Sequence, residues 1–148
     1  MKALINEKTV CELVLNRTVL DVDDADMQDE LLNNNIFNFA FIPDTESEER
    51  TYITFELCGK AIGNTGLYKN ISLYFFIFSH HNLIRDKSSG YLRTDLLDEQ
   101  IQTLFNDNRD FGFGKMTCLS DDYLRVNNSH YGRQLVFKTK ELNSSRCG

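Results

Sequence analysis

The chain has 148 residues, of which 41% are hydrophobic and 26% charged, with a net charge of −6. That length suits one domain with a buried core, and the composition is that of a globular protein. No apolar run reaches the roughly 20 residues of a membrane span. The acidic balance argues against a sequence-reading nucleic-acid binder, whose affinity comes from neutralised phosphates.

The first segment, Ala3 to Leu20, is predicted to be a helix. Leu4, Ile5, Cys11, Val14 and Leu15 share one broad face. Asn6, Glu7 and Lys8 interrupt any signal-peptide core, so the protein is expected to be made and kept in a cytoplasm. The acidic stretch "DVDDADMQDELLNNN" follows. Met27, Leu31 and Leu32 have the spacing of a short amphipathic helix. Its leading aspartates suit the helix dipole, and Asn33 to Asn35 are expected to end it. A calcium loop fails here. Counted from Asp21, its glycine position holds Asp26 and its glutamate position holds Leu32.

In "IFNFAFIPDTESEER", Phe37, Phe39 and Phe41 alternate along an extended segment that Pro43 ends. Residues Thr51 to Cys58 alternate as a half-buried strand, with Ile53, Phe55 and Leu57 on one side. Gly59 to Asn70 is expected to be a long, glycine-containing tip. Asn70 to Ser79 is then the second strand of a hairpin. That strand is apolar on both faces: Ile71, Leu73, Phe75 and Ile77 against Tyr74, Phe76 and Phe78. A strand of this kind must be covered on both sides.

A helix is predicted from about Tyr91 to Asn106. Leu92, Leu96, Leu97, Ile101, Leu104 and Phe105 form its stripe, and Asp98, Glu99, Gln100 and Gln102 face solvent. Lys115 to Leu119 and Arg133 to Thr139 are the last two strands, joined by the loop "SDDYLRVNNSHYG". Residues 140–148 are expected to be a flexible tail. The order α-α-β-β-α-β-β, with no internal repeat or linker, predicts a single α+β domain over 1–148. Its sheet is mostly antiparallel and its helices pack on one face.

Chemistry-bearing motifs are sparse. Cys11, Cys58, Cys118 and Cys147 form no CxxC pair and read as reduced thiols, with Cys11 and Cys58 acting as small hydrophobes. His80 and His81 are adjacent. On an extended chain neighbours point apart, so they do not share a metal. His80, Cys58, Cys118 and His130 are a set that could meet near strand ends, but nothing in their spacing demands it. No G-x-S-x-G elbow is present. Cys58 with His81 lacks an electropositive setting beyond Lys60. "GFGKMT" lacks the first P-loop glycine, since Arg109 stands there, and "GNTG" joins strands rather than the helices of a KH clamp. Sequons begin at Asn16, Asn70, Asn127 and Asn143 and carry no weight without secretion. The expectation is a chain with no catalytic, cofactor or metal residues.

The remaining signal is the two-faced strand. Tyr74, Phe76 and Phe78 are either monomer core or an aromatic subunit interface.

The arrangement of helix, long-tipped hairpin, helix and two strands resembles the tail terminator and neck proteins of long-tailed bacteriophages. So do the stretches "YFFIFSHHNLIRD", "GYLRTDLLDEQIQTLFN" and "HYGRQLVF". The resemblance covers most of Thr51 to Lys140, and the acidic helix at Asp21 to Asn35 is a departure from it. It implies a non-enzymatic virion protein that assembles with itself into a ring, usually a hexamer. The ring caps the tail tube protein and offers a docking surface to the head-side connector protein. DNA passes through the lumen without specific binding, and no membrane is involved. The hairpin tip, with Gly59, Lys60, Gly63, Asn64, Gly66 and Tyr68, is then the loop that reaches toward tube or connector. A neighbouring head–tail adaptor, a phage regulator that binds a host protein, and a small metal-dependent enzyme are the competing classes.

Overall fold

The computed structural model describes residues 1–44, 47–62, 66–110 and 114–142. Among them the elements run α1 (Lys2–Ile5), α2 (Lys8–Leu15), α3 (Ala25–Leu31), β1 (Ile36–Phe37), β2 (Thr51–Ile62), β3 (Tyr68–His80), α4 (Arg93–Phe105), β4 (Thr117–Arg125) and β5 (His130–Leu142). The five strands form one sheet in the order β1-β2-β3-β5-β4. Only the two-residue β1 is parallel to its neighbour. The fold is α+β, mostly antiparallel, as the element order predicted.

β3 is the central strand, paired along its length with β2 and β5, and its two apolar faces have different cover. One face carries Ile53, Leu73, Phe75, Ile77, Leu135 and Phe137. The helices cover it with Leu4, Val10, Cys11, Val14, Met27, Leu31, Leu97, Ile101 and Phe105. The other face holds a smaller cluster of Phe37, Tyr52 and Phe78, with Phe41, Phe76, Leu124 and Val126 against it. Of the alternating phenylalanines, Phe37 and Phe41 serve that cluster, stacked at 4.0 Å between ring centroids, whereas Phe39 is exposed, because the extended run ends at Phe37.

Several predicted boundaries shift. The single N-terminal helix is two short helices. Asn16 takes the left-handed conformation (φ 56°) and ends α2, a role that asparagine tolerates better than most residues. The polar stretch from Ser120 to Gly132 is mostly strand rather than loop. β4 is an edge strand with most of its residues exposed, so it lacks the apolar alternation that marks a strand. The tip between β2 and β3 is shorter than Gly59 to Asn70. Both strands continue toward each other, pairing as far as Ile62 with Tyr68. Lys140 belongs to β5, which runs to Leu142. The rest of the expected tail, 143–148, lies outside the described residues.

One buried charged group ties the layers together, and an exposed aspartate caps a helix. Arg93, at the start of α4, is 2% exposed. Its Nε donates to the Leu83 carbonyl oxygen at 3.0 Å, its Nη1 to that of Leu13 at 2.8 Å and its Nη2 to Asn16 Oδ1 at 2.7 Å. Asp86 stands 3.5 Å from Nη2. The Ser88 and Ser89 hydroxyls and the Ser89 N–H bind that carboxylate and hold it down at about 2, with Arg93 adding to the effect. Thus Asn16 both ends α2 and ties it to α4. At the start of α3, Asp24 caps the helix by accepting from the Asp26 and Met27 N–H groups.

Candidate functional site

The second sheet face is the surface that the helices leave uncovered. The strand register sets its rows: Tyr52–Phe78–Gly132–Leu124, then Thr54–Phe76–Gln134–Asp122, then Glu56–Tyr74–Val136–Ser120, then Cys58–Ser72–Lys138 and Lys60–Asn70–Lys140. The first row is covered by the segment from Phe37 to Phe41. Phe78 is 1% exposed, so this member of the predicted aromatic interface belongs to the chain's own core. Tyr74 and Phe76 are half-buried on the open part of the face. Beside Phe76 lies a hollow of about 230 Å³, lined by Phe41, Ile42, Leu124 and Val126 among others.

The predicted tip residues separate. Gly59 and Lys60 lie in β2, Tyr68 is the first residue of β3 and is exposed, and Gly66 is buried at φ 60°. Gly63 and Asn64 lie outside the described residues. Cys58 is exposed rather than packed as a small hydrophobe, whereas Cys11 is buried. Burial pushes the Cys11 thiol up to about 11, so it stays protonated and inert.

The histidines meet at one end of β3. The His80 and His81 rings lie 4.3 Å apart, not on opposite sides, because the chain has entered a turn at His81. His130 packs 5.2 Å from His80 and is fully buried. Its Nε2 faces the Glu48 carbonyl oxygen at 2.9 Å, and its Nδ1 faces Asn127 Oδ1 at 3.0 Å. Asn127 Oδ1 also accepts from the backbone N–H groups of Ser129 and His130, which closes the β4–β5 turn. These bonds tie that turn to the chain entering β2. Cys58 and Cys118 sit toward the opposite end of the strands, opposite Ser72 and Phe137. Among the described residues, no group of three His, Cys, Asp or Glu is placed to hold a metal.

A charged cluster between α4 and the β4–β5 hairpin was not legible in the chain. Arg133 reaches Asp95 at 2.7 Å and Asp121 at 2.8 Å, with Asp98 3.8 Å away. It also stacks over Tyr123, 4.8 Å from the ring centre. Asp98, expected on the solvent face, is 7% exposed. It accepts from Gln102 Nε2 at 2.8 Å. Desolvation pushes its carboxyl up to about 6, and the hydrogen-bonded Asp121 carboxyl adds to that, against the pull of Gln102 and Arg133.

The folded value lies above the unfolded one of about 3.9, so the native state holds this proton more tightly. Stability from Asp98 is therefore greatest below pH 4 and is lost as pH rises to about 6. Asp98→Asn keeps an acceptor for Gln102 and is expected to remove that slope, which amounts to about 1–3 kcal/mol. Urea unfolding at a series of pH values from 4 to 7 checks it. An unchanged slope would mean that Asp98 ionises freely in the fold.

Among the described residues, the α+β fold thus leaves part of one sheet face and two sheet edges open. Comparison with protein families assigns it more closely. The match to the YomW family model spans residues 7–139, and the chain belongs to that family, a phage-derived one of the Bacillus phage SPbeta-like kind. No curated protein matches the chain.

Proposed function

We propose that this phage protein is a non-enzymatic structural part of the neck of a tailed particle, tail-terminator-like. It assembles with itself into a ring that caps the tail tube and joins it to the head connector. One observation carries the reading. The half-buried Tyr74 and Phe76 lie on a sheet face that, among the described residues, the helices leave uncovered and the segment from Phe37 to Phe41 covers only at one end. Aromatic residues in that setting suit a subunit interface. The edges add support. Among the described residues, β4 has no strand on its outer side, and neither does β2 from Phe55 onward. Open edges are a hazard that association with a neighbour removes.

In this reading the acidic chain lines a duct through which DNA moves without sticking. Disruption of the gene in the intact phage tests the proposal. The expected result is full heads and completed tails that remain separate under electron microscopy, with joining restored by the gene supplied in trans. Normal particles from the disrupted phage would overturn it. So would recovery of the protein only in complex with a host protein and never in virions.

A further inference from the structure

The open face changes character along its length. Past the Tyr74 row, Lys138 and then Lys60 and Lys140 occupy neighbouring positions on the same side of β2 and β5. With strands about 4.8 Å apart and alternate residues about 7 Å apart, the three lysines fall within a patch of roughly 7 by 10 Å. All three are exposed. Several cations elsewhere are matched: Arg17 with Glu30, Lys115 with Asp107, Arg93 with Asp86, and Arg133 with Asp95 and Asp121. Lys60, Lys138 and Lys140 have no ion pair among the described residues. They stand in a chain of net charge −6.

A complementary surface exists on the same molecule but in another place. Asp23, Asp26 and Asp29 are exposed at α3. The buried side of α3, Met27 and Leu31, packs into the helix-covered core, so these carboxylates lie across the sheet from the lysine face. One copy cannot bring the two surfaces together. Two copies can, in head-to-tail order, and unlike surfaces that meet in that order repeat until they close a ring or extend as a filament.

We propose that Lys60, Lys138 and Lys140 of one copy dock on the acidic surface of Asp23, Asp26 and Asp29 of the next, setting the direction of assembly. This rests on the ring reading above, and it names the charges that align neighbouring copies. A phosphate backbone is the competing occupant. It is disfavoured by the net negative charge, and three phosphate contacts confer only a shallow salt dependence.

Sedimentation velocity on the full chain tests the proposal, with circular dichroism to confirm that each variant is folded. The wild type is expected to self-associate at low salt, with an association constant that falls about tenfold or more at high salt. Lys60→Glu, Lys138→Glu and Lys140→Glu together are expected to give a monomer. Asp23→Lys, Asp26→Lys and Asp29→Lys together are expected to do the same. An equimolar mixture of the two variants restores complementary contacts and is expected to recover assembly. Charge variants that associate like the wild type, or folded monomeric variants whose mixture does not recover, would overturn the proposal. In the first case, loss of association in Tyr74→Ser would leave the ring reading standing. A wild type that stays monomeric at every salt concentration would overturn it too, and one that also binds a DNA duplex through these lysines would assign the face to nucleic acid. The ring reading itself stands or falls on the phage disruption.

Discussion

Gly132→Ala is expected to leave the protein unable to complete its sheet. Gly132 sits within β5, opposite Phe78 of the central strand. A Cβ built on it would lie 1.7 Å from the Ile77 carbonyl oxygen and 2.7 Å from the Phe78 Cα. Both are backbone atoms of β3, which is held between β2 and β5, so neither can swing aside as a side chain does. Relief requires the two strands to separate where Tyr52 and Phe78 pack in the second cluster. Glycine in a strand interior often marks such a close approach. The loss is expected to exceed about 4 kcal/mol, in the exceptional range for a point substitution. Urea unfolding, or recovery in the soluble fraction if no folded protein remains, measures it. Gly59→Ala is the control. Its added Cβ meets only the side chain of Lys69, at 3.4 Å, so a change within about 1 kcal/mol is expected. Equal stability of the two variants would mean that β3 and β5 are not packed so closely.

Arg93→Ala is expected to cost about 3–5 kcal/mol, the range for breaking a buried charge network from one side. The substitution removes three donated hydrogen bonds and strands the acceptors at Leu13, Asn16 and Leu83. Each buried polar atom left without a partner costs about 1–3 kcal/mol. Arg93→Lys is expected to recover little, because one ammonium lacks the fork that spans acceptors on α2 and on the loop before α4. Thermal unfolding of both variants, with hydrogen exchange at α2 and α4, checks this. A lysine variant as stable as the wild type would show that the charge alone matters.

The phase of α4 illustrates how far pattern reading goes. Leu97, Ile101 and Phe105 were legible as its buried stripe, and all three are buried. Asp98 was assigned to solvent because it is a carboxylate flanked by polar residues. In the fold it is buried beside Gln102, Asp121 and Arg133, and two of those neighbours arrive from strands more than 20 positions away. The edge strand β4 is legible only as far as Leu119, and its part from Ser120 to Arg125 reads as loop for a related reason. An exposed strand shows no apolar alternation, and only its pairing with β5 marks it. The lysine patch carried a faint signal, the K-x-K of "VFKTKE". Its alignment with Lys60 depends on the register across β3.

What the chain alone determined was local and periodic. Alternation along β2 and the apolar run of β3 specified the hairpin, and the two apolar faces of β3 specified that both needed cover, while its central place came from the pairing with β5. The 3.6-residue stripe specified α4. These are short-range properties, set by which side of an element each residue occupies. Tertiary structure decided the rest. It placed Phe78 in the core under Phe37 and Phe41, gathered three acids around Arg133, and set Arg93 between α2 and the loop before α4. It also left Tyr74 and Phe76 on the open face. Each outcome depends on which distant segments pack together, and burial of a polar or aromatic group is a property of that packing rather than of its neighbours in the chain.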